Sequence, residues 1–364
     1  MTDQRLRQFR LKFTVLTPLH IGAGIRYYRD YDFRDEGGQR VRLIDVDRAL
    51  ELVPERAIGR IADGRIAAAL DTSTLERATR AMLPVYGTRA VGQDLLAFIR
   101  DGMGRVYLPG SSLKGAFRSA LLDAYVEQHP QSIRETVRAG GGSRERAAQA
   151  IEQKAFAVEL DRTQPEGDFP NRDINRWLRL ADAYPVGSPE MVAAEVQVRS
   201  VSSRGRQAIP VWVEAVSPGT VFETTLALAP AAWDPWKSLD ATRRALYGQD
   251  LQKLLQHWGG ELRKVELGHW RRHDSSVASR FEGQVRDGEI AFPLGFGTGW
   301  VAKTIGRHVR PDRELMRALI QRYGLTRSRA LDPEYFPIGH RVVDGPGGWL
   351  PMGWVKLAQA SRVQ

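Results

Sequence analysis

The sequence predicts an α+β protein built from short strands and amphipathic helices. Alternating apolar and polar residues at 10–18 and within 195–228 indicate strands, whereas a four-residue apolar spacing at 111–125 and 243–258 indicates helices. Of the 364 residues, 42% are hydrophobic and 26% are charged, which is typical of a globular protein and excludes wholesale disorder.

The first two elements follow from these patterns. Residues 10–18 (RLKFTVLTP) form a half-buried strand that ends at Pro18, with apolar positions at Leu11, Phe13 and Val15. Residues 111–125 form a helix with one apolar face, made by Leu113, Phe117, Leu121 and Tyr125. Ser111 or Ser112 is the expected N-cap of that helix.

The second half of the chain also contains both strand and helix patterns. Strand patterns over residues 195–228 are interrupted by a basic hairpin tip at residues 203–206. A helix over residues 243–258 is predicted to stop at Gly259 and Gly260. A glycine-rich loop at residues 294–300 (LGFGTGW), a helix at 311–323 and a closing strand at 349–357 complete the chain.

The charge balance points to a polyanionic partner. The 53 Lys and Arg residues exceed the 43 Asp and Glu residues, giving a formal charge of +10. Arg makes up 45 of the 53 cations, which suits bidentate phosphate binding and equally fits a GC-rich genome.

Several classes of protein are excluded. The absence of Cys rules out disulfides, thiolate catalysis, Cys-ligated zinc and iron–sulfur clusters. No apolar run approaches the ~20 residues of a membrane span, and the first residues, MTDQRLRQFRLKF, lack the apolar core of a signal peptide. We therefore expect a cytoplasmic protein that binds no membrane.

Residues 109–118 (PGSSLKGAFR) place two hydroxyl residues at a helix N-terminus, with Lys114 and Arg118 four apart on one face. Backbone N–H groups and cations in this arrangement suit a phosphate. A capped helix with two solvated cations explains the segment equally well. The spacing is not that of a Walker A loop, so nucleotide hydrolysis is not implied.

The second candidate site is the glycine-rich loop. Gly295, Gly297 and Gly299 alternate with larger residues, so the backbone is able to approach a partner closely. The alternative is a strained loop that fills a sharp turn, and the spacing is not that of a dinucleotide-binding loop. Lys303 and Arg307 follow, and residues 301–330 carry 8 Lys and Arg against 2 Asp and Glu. An anionic neighbour is the favoured interpretation.

The seven His residues show no metal-ligand spacing, so neither a metal nor a cofactor is predicted. His20 stands between a strand end and a glycine-rich turn, where an imidazole could act as general base on a ribose 2′-hydroxyl. A local backbone hydrogen bond is the commoner role for such a residue.

Four segments resemble the RAMP superfamily of CRISPR-associated proteins. They are residues 16–24 (LTPLHIGAG), 108–118 (LPGSSLKGAFR), 294–300 (LGFGTGW) and the terminal PMGWVKL. Together they cover about a tenth of the chain and recur in the family's order. The closing GWVKL is most similar to the subunit that caps the 3′ end of the guide RNA in the type III-A (Csm) effector complex.

The resemblance implies a ferredoxin-like (RRM-like) RAMP fold with two RAMP-like halves and helical insertions. Residues 1–230 would form the first half, with an insertion at about 128–190, and residues 231–364 the second, with the loop at 294–300. The expected core order is a strand at 10–18, a helix at 111–125, a strand pair within 195–228, a helix at 243–258 and a closing strand.

The resemblance also implies function. RAMP sheets and glycine loops hold single-stranded guide RNA. The positions carried over as RNA contacts are Lys114, Arg118, Gly295, Gly297, Thr298, Gly299 and Lys303. Arg204 and Arg206 are added from charge and hairpin position, and His20 from its place between a strand end and a glycine-rich turn.

The predicted function is a non-catalytic subunit that binds the 3′ region of crRNA in antiviral defence and supports crRNA maturation. Its expected partners are crRNA, neighbouring backbone RAMP subunits and a recruited maturation nuclease. The alternatives are a metal-independent endoribonuclease with His20 as base, and a RAMP subunit at the 5′ end of the guide. Asp30 and Asp32 lie near the position of a catalytic Asp in a related subunit, but their surroundings do not match, so no catalytic residue is predicted.

Overall fold

The computed structural model describes residues 7–55, 64–141, 143–157, 172–200, 210–228, 243, 250–326, 334 and 336–362. The strands of this part of the chain are β1 (Arg7–Val15), β2 (Gly22–Tyr28), β3 (Phe33–Glu36), β4 (Arg40–Ile44), β5 (Thr79–Tyr86), β6 (Asp94–Phe98), β7 (Leu178–Leu180), β8 (Tyr184–Pro185), β9 (Met191–Ser200), β10 (Val211–Val216), β11 (Val221–Leu228), β12 (Ala291–Pro293), β13 (Gly339–Gly345), β14 (Gly348–Pro351) and β15 (Trp354–Arg362).

The helices of the described residues are α1 (Val46–Leu52), α2 (Ile66–Ala69), α3 (Thr72–Arg77), α4 (Gly110–Gln128), α5 (Pro130–Ala139), α6 (Gln149–Phe156), α7 (Leu251–His273), α8 (Ser275–Gln284), α9 (Gly299–Ala302), α10 (Gly306–Val309) and α11 (Arg313–Tyr323). Two short 3₁₀ turns add to them, at Arg144–Arg146 and Ile174–Trp177.

The first sheet has the ferredoxin-like arrangement. Its strand order is β12–β15–β1–β11–β7, with β8 also paired to β11, and all these pairs are antiparallel. Helix α4 connects β1 to β7, and α7 connects β11 to β15, so the core elements follow the chain as strand, helix, two strands, helix, strand. The structure confirms the predicted α+β class and ferredoxin-like RAMP fold.

The core of this half lies between the first sheet and helices α4 and α7. Phe292 of β12 lies at its centre, and its ring centroid is 6.1 Å from that of Phe13, 6.4 Å from Phe117 and 6.2 Å from Trp258. These four buried rings join the strand, both helices and the sheet edge. Burial of such rings contributes to stability through the apolar area removed from water.

Two sequence predictions within this core are wrong. Helix α7 continues through Gly259 and Gly260 to His273, although the glycines were predicted to end it. Gly259 is needed because a Cβ there would lie 1.9 Å from the carbonyl oxygen of Ala291 in β12. Helix α4 begins at Gly110 with Pro109 as N-cap, and the Asp182 carboxylate accepts from the Gly110 N–H at 2.7 Å, so neither Ser111 nor Ser112 caps it.

The second strand of the ferredoxin-like sheet also differs from the prediction. It is the three-residue β7 with β8, which fall inside the predicted insertion at 128–190. The predicted strand pair within 195–228 splits instead: β11 enters the first sheet, whereas β9 and β10 pair with each other in the second.

The second sheet forms the other half of the fold. Its order is β2–β6–β10–β9–β5–β4–β3, and β13 pairs with the outer part of β9 and with β14. The predicted division at residue 230 stays a prediction. Both sheets combine strands from the two sides of that position: β15 pairs with β1, and β13 pairs with β9.

The remaining helices are peripheral. Helices α1 to α3 enclose a small cluster around Ala49 and Leu75. Helices α5 and α6, from the predicted insertion, pack with α11 and the end of α4 around Ile133, Phe156 and Met316. The ion pair between Glu152 of α6 and Arg118 of α4 also places α6 beside one of the predicted RNA contacts.

Candidate nucleic-acid interface

Three of the four family-like segments meet at one junction between the two sheets. The N–H of Phe296 in the glycine-rich loop donates to the carbonyl of His20 at 2.8 Å, and the N–H of Leu294 donates to the carbonyl of Gly353 at 2.6 Å. The N–H of Gly353 in turn donates to the carbonyl of Pro18 at 2.9 Å. The glycine-rich loop is therefore held by backbone hydrogen bonds to both ends of the chain's core.

The three glycines of the loop differ in how closely other residues approach them. Gly295 and Gly297 have φ of +78° and +86°, and a Cβ at these positions would lie 2.4 Å from the His20 carbonyl oxygen and 3.0 Å from Met352 Sδ, respectively. Gly299 also has a positive φ, of +82°, but no described atom lies within 4 Å of its Cβ position. Gly295 and Gly297 thus serve packing, and Gly299 leaves room for an approaching ligand.

Thr298 and Gly299 lead into the short helix α9. The Thr298 hydroxyl donates to the Gly295 carbonyl at 3.3 Å, which closes the loop on itself. Gly297, Thr298 and Gly299 line one pocket together with His340 and Arg341 of β13. The loop therefore faces a basic strand that is distant in sequence.

His20 is buried, with 1% of its surface exposed, and has no face to offer an RNA chain. Its Nδ1 donates to the Glu214 carbonyl at 2.6 Å, and its ring meets the rings of Phe98 and Phe296 edge to face. Burial lowers the pKa of His20, and the hydrogen bond to Glu214 offsets part of that effect. This geometry fits the backbone-bonding role and speaks against His20 as an RNA contact or a general base.

Lys303 and Arg341 form the basic centre of the site. Lys303 is exposed and forms no ion pair among the described residues. Desolvation by the surrounding protein lowers the pKa of Lys303, and the positive charge of Arg341 lowers it further. The guanidinium of Arg341 lies over the Phe296 ring, 5.2 Å from its centroid, and the Arg341 side chain is exposed.

Positive charge continues beyond Arg341. The next residue on β13, His340, stacks on His269 of α7 with ring centroids 3.4 Å apart. Burial, followed by the charges of His340, His273, Arg272 and Arg310, lowers the pKa of His269 to about 2. Arg272 and Arg310 therefore lie on the same side of the molecule as His340 and the glycine-rich loop.

Lys114 extends the positive surface along α4. Desolvation lowers the pKa of Lys114, with further contributions from the nearby charges of Arg118, Arg176 and Arg179 and an opposing one from Asp173. We call Lys114, Lys303, Arg341, Arg272 and Arg310 the basic track. None of the five forms an ion pair within the described part of the chain.

Arg118 does not act as a free cation. Its guanidinium donates to Asp173 at 2.8 Å and to Glu152 at 3.3 Å and covers the Phe156 ring, with 4.2 Å between the guanidinium carbon and the ring centroid. Arg118 therefore holds the insertion helix α6 against α4, although the sequence predicted a phosphate contact. The Asp182 carboxylate at the start of the same helix also disfavours a phosphate there.

Arg307 is neutralised in the same way. It donates to both oxygens of Asp123, at 3.1 and 2.5 Å, and lies 3.7 Å from Glu127 and 3.5 Å from Glu261. Asp123, Glu127 and His257 bring three possible metal-ligand atoms within 4.8 Å of one another, but Arg307 and His308 already bind the Asp123 carboxylate. The cluster is an ion-pair network that joins α4, α7 and α10.

The other candidates are quickly placed. Arg204 and Arg206 lie outside the described residues. Asp32 accepts from the Tyr28 N–H at 2.8 Å, and Asp30 has a φ of +66°, so both residues shape a turn after β2. Arg341 and Arg272 were missed because no local motif marks a single cation that the fold brings beside a distant loop, and Arg310 was noticed only as part of the basic segment 301–330.

Comparison with known proteins identifies the family. The model of the RAMP superfamily matches residues 12–260, so the chain belongs to this superfamily. The chain is similar to the proteins named CRISPR system Cms protein Csm5 in two organisms. The identity is 24% over 241 residues in Streptococcus thermophilus, which covers 60% of this chain and 63% of that protein. In Mycobacterium tuberculosis the identity is 26% over 236 residues, covering 64% of this chain and 56% of that protein.

Solved structures share the fold over nearly the whole chain. A subunit of the Csm–crRNA–target RNA ternary complex in the type III-A CRISPR–Cas system matches with a TM-score of 0.74 and 24% identity, over 96% of this chain and 100% of that one. The crystal structure of Csm5 from T. onnurineus matches with a TM-score of 0.66 and 22% identity, over 95% and 100% of the two chains. The predicted resemblance to the RAMP superfamily is thus confirmed. Among the described residues, no helix has the length and apolar character to cross a membrane.

Proposed function

We propose that this protein is a non-catalytic RNA-binding subunit of a type III-A CRISPR effector complex and that it binds crRNA along the basic track. The observation that carries the proposal is the row of unpaired cations next to Gly299, whose open side admits a phosphate backbone. Arginine stacked on Phe296 adds a surface for a base, so the site combines the two elements that hold single strands.

The similarity to Csm5 supports the assignment to this complex, because a subunit with this fold occurs in a Csm–crRNA–target RNA assembly. We assign the protein to the 3′ region of crRNA, where it would contact a backbone RAMP subunit and support maturation of the guide in antiviral defence. Its place would then be the cytoplasm, with the rest of the complex. Recruitment of a maturation nuclease stays a prediction from the resemblance.

RNA binding is tested by fluorescence anisotropy with a labelled single-stranded RNA and with the same RNA in a duplex. We expect tighter binding of the single strand, because stacking on Arg341 needs an unpaired base. Equal binding of both forms, or no binding at low salt, would contradict the proposal.

The endoribonuclease alternative is tested in the same preparation. Incubation with repeat-containing RNA in EDTA should leave the RNA intact, because His20 is buried and its pKa is lowered. Site-specific cleavage that disappears in His20→Ala would instead establish the enzyme.

A further inference from the structure

A crevice opens between α4 and the segment that follows α9. Its volume is about 100 Å³, the scale of one sugar or phosphate group, and its lining includes Arg118, Asp123, Glu152, Lys303 and Thr304. Asp123 is already bound by Arg307 and His308, so Glu152 is the carboxylate left for a ligand. The crevice therefore adjoins the basic track at Lys303. No residue of the glycine-rich loop lines the crevice.

The crevice combines a cation with a carboxylate that do not neutralise each other. Lys303 has no ion-pair partner in the described part of the chain. The Glu152 carboxylate pairs with Arg118 instead, with 3.3 Å between a guanidinium nitrogen and one carboxylate oxygen. Burial and the neighbouring Asp173 raise the pKa of Glu152, and Arg118 opposes that effect. The Glu152 side chain is 34% exposed, and only one of its oxygens accepts from Arg118, so the other is open to a hydrogen-bond donor.

A ligand that satisfies both groups must carry a negative charge for Lys303 and hydroxyl donors for Glu152. The last nucleotide of an RNA has both: its phosphate suits Lys303, and its free 2′- and 3′-hydroxyls are able to donate to Glu152. A 3′-phosphate in the same place would meet the Glu152 carboxylate and be repelled. An internal nucleotide has no free 3′-hydroxyl and offers Glu152 its 2′-hydroxyl alone.

We propose that this crevice binds the terminal ribose of an RNA with a free 3′-hydroxyl, with Glu152 as the acceptor of the sugar hydroxyls and Lys303 on the last phosphate. The inference rests on the proposed RNA-binding function. It assigns to Glu152 the distinction between an unphosphorylated 3′ end and other ends.

The test compares four RNAs of one sequence: linear with a 3′-hydroxyl, linear with a 3′-phosphate, linear with a 2′,3′-dideoxy end, and circular. The circular RNA retains contacts with the basic track and has no end, so binding is expressed as the ratio of each linear affinity to the circular one. We expect the 3′-hydroxyl RNA to bind about tenfold or more tighter than the phosphorylated and dideoxy forms, as a hydrogen bond to a charged group would give.

Variants identify the residue. Glu152→Ala should reduce the preference for the 3′-hydroxyl to about onefold. Glu152→Gln retains an acceptor oxygen without the charge, so it should lose the rejection of the 3′-phosphate and keep part of the preference over the dideoxy end. Glu135→Gln is the matched control, because Glu135 is an exposed carboxylate on α5 of the same insertion, and it should leave all ratios unchanged.

Two failures are distinguishable. If the protein binds the circular RNA and all linear forms with the same affinity, the crevice does not recognise the 3′ end and the inference is overturned. If no RNA binds, including the circular one, the proposed function itself fails. Circular dichroism of each variant separates loss of the ratio from loss of the fold.

Discussion

Replacing Lys303 with alanine removes the central charge of the basic track. Lys303 is exposed, lies just after the α9 helix that the glycine-rich loop begins, and forms no ion pair among the described residues. Desolvation lowers the pKa of Lys303, and the charge of Arg341 lowers it further, so a phosphate near both cations relieves their mutual repulsion. Loss of Lys303 should therefore weaken RNA binding without destabilising the fold.

The magnitude follows from counterion release. Each phosphate contact with a single strand contributes about −0.7 to the slope of log K against log salt concentration. Lys303→Ala should reduce the slope by about 0.7, which corresponds to about a fourfold weaker Kd at 0.15 M salt and about eightfold at 0.05 M. Arg341→Lys keeps the charge and loses the planar stacking group, so its slope should stay unchanged while its affinity falls.

The assay is fluorescence anisotropy of one labelled single-stranded RNA at several salt concentrations. Arg48→Ala is the matched control, since Arg48 is an exposed cation on α1, in a separate cluster, and pairs with Glu51. Arg48→Ala should leave the salt slope of RNA binding unchanged, and it should change the affinity by no more than the loss of one distant charge would. A normal slope in Lys303→Ala, or an equal change in Arg48→Ala, would refute a specific phosphate contact at Lys303.

Further changes test the architecture of the site. Gly295→Ala should destabilise the protein by about 3 kcal/mol or more, because of its positive φ and the 2.4 Å contact with His20, whereas Gly299→Ala should cost about 1–2 kcal/mol and lower RNA affinity. Urea midpoints and anisotropy separate the two. Arg118→Ala should lower stability by about 1–3 kcal/mol and leave the salt slope of RNA binding unchanged, which a reduced slope would disprove. Stability should be full above about pH 6.5 and fall below it, because the lowered pKa values of His20 and His269 let the unfolded chain bind more protons. A smaller fall in His269→Gln, seen in urea midpoints at pH 7.5 and 5.5, would support this cause, and a pH-independent midpoint would oppose it.

The sequence predicts the first strand and the first helix of the ferredoxin-like core well and its second strand poorly. The nine residues of β1 and the long α4 carry a clear period over several turns or alternations, so pattern suffices. Strand β7 has only three residues, and its strand character comes from pairing with β11. Local sequence likewise predicts a helix end at Gly259. The residue is glycine because Ala291, which is distant in sequence, approaches it closely.

The candidate site divides in the same way. The loop at 294–300 and Lys303 are marked by local composition, and the structure brings them to one surface. Arg118 and Arg307 carry the same local signal, but carboxylates 55 and 184 residues away in sequence neutralise them, and only the fold supplies those partners. Arg341 shows the opposite case. No local sequence signal marks it, and it joins the site only because β13 lies beside the glycine-rich loop.

The central claim is that this protein holds the 3′ region of crRNA on the basic track within an assembled type III-A complex. The most direct measurement is photo-crosslinking in that complex, with guides that carry the crosslinker near the 3′ end or near the 5′ end. The account predicts crosslinks from the 3′ probe alone, to peptides that contain Lys303 or Arg341. Crosslinks from the 5′ probe, or from the 3′ probe to the face of α1 and β3, would contradict it.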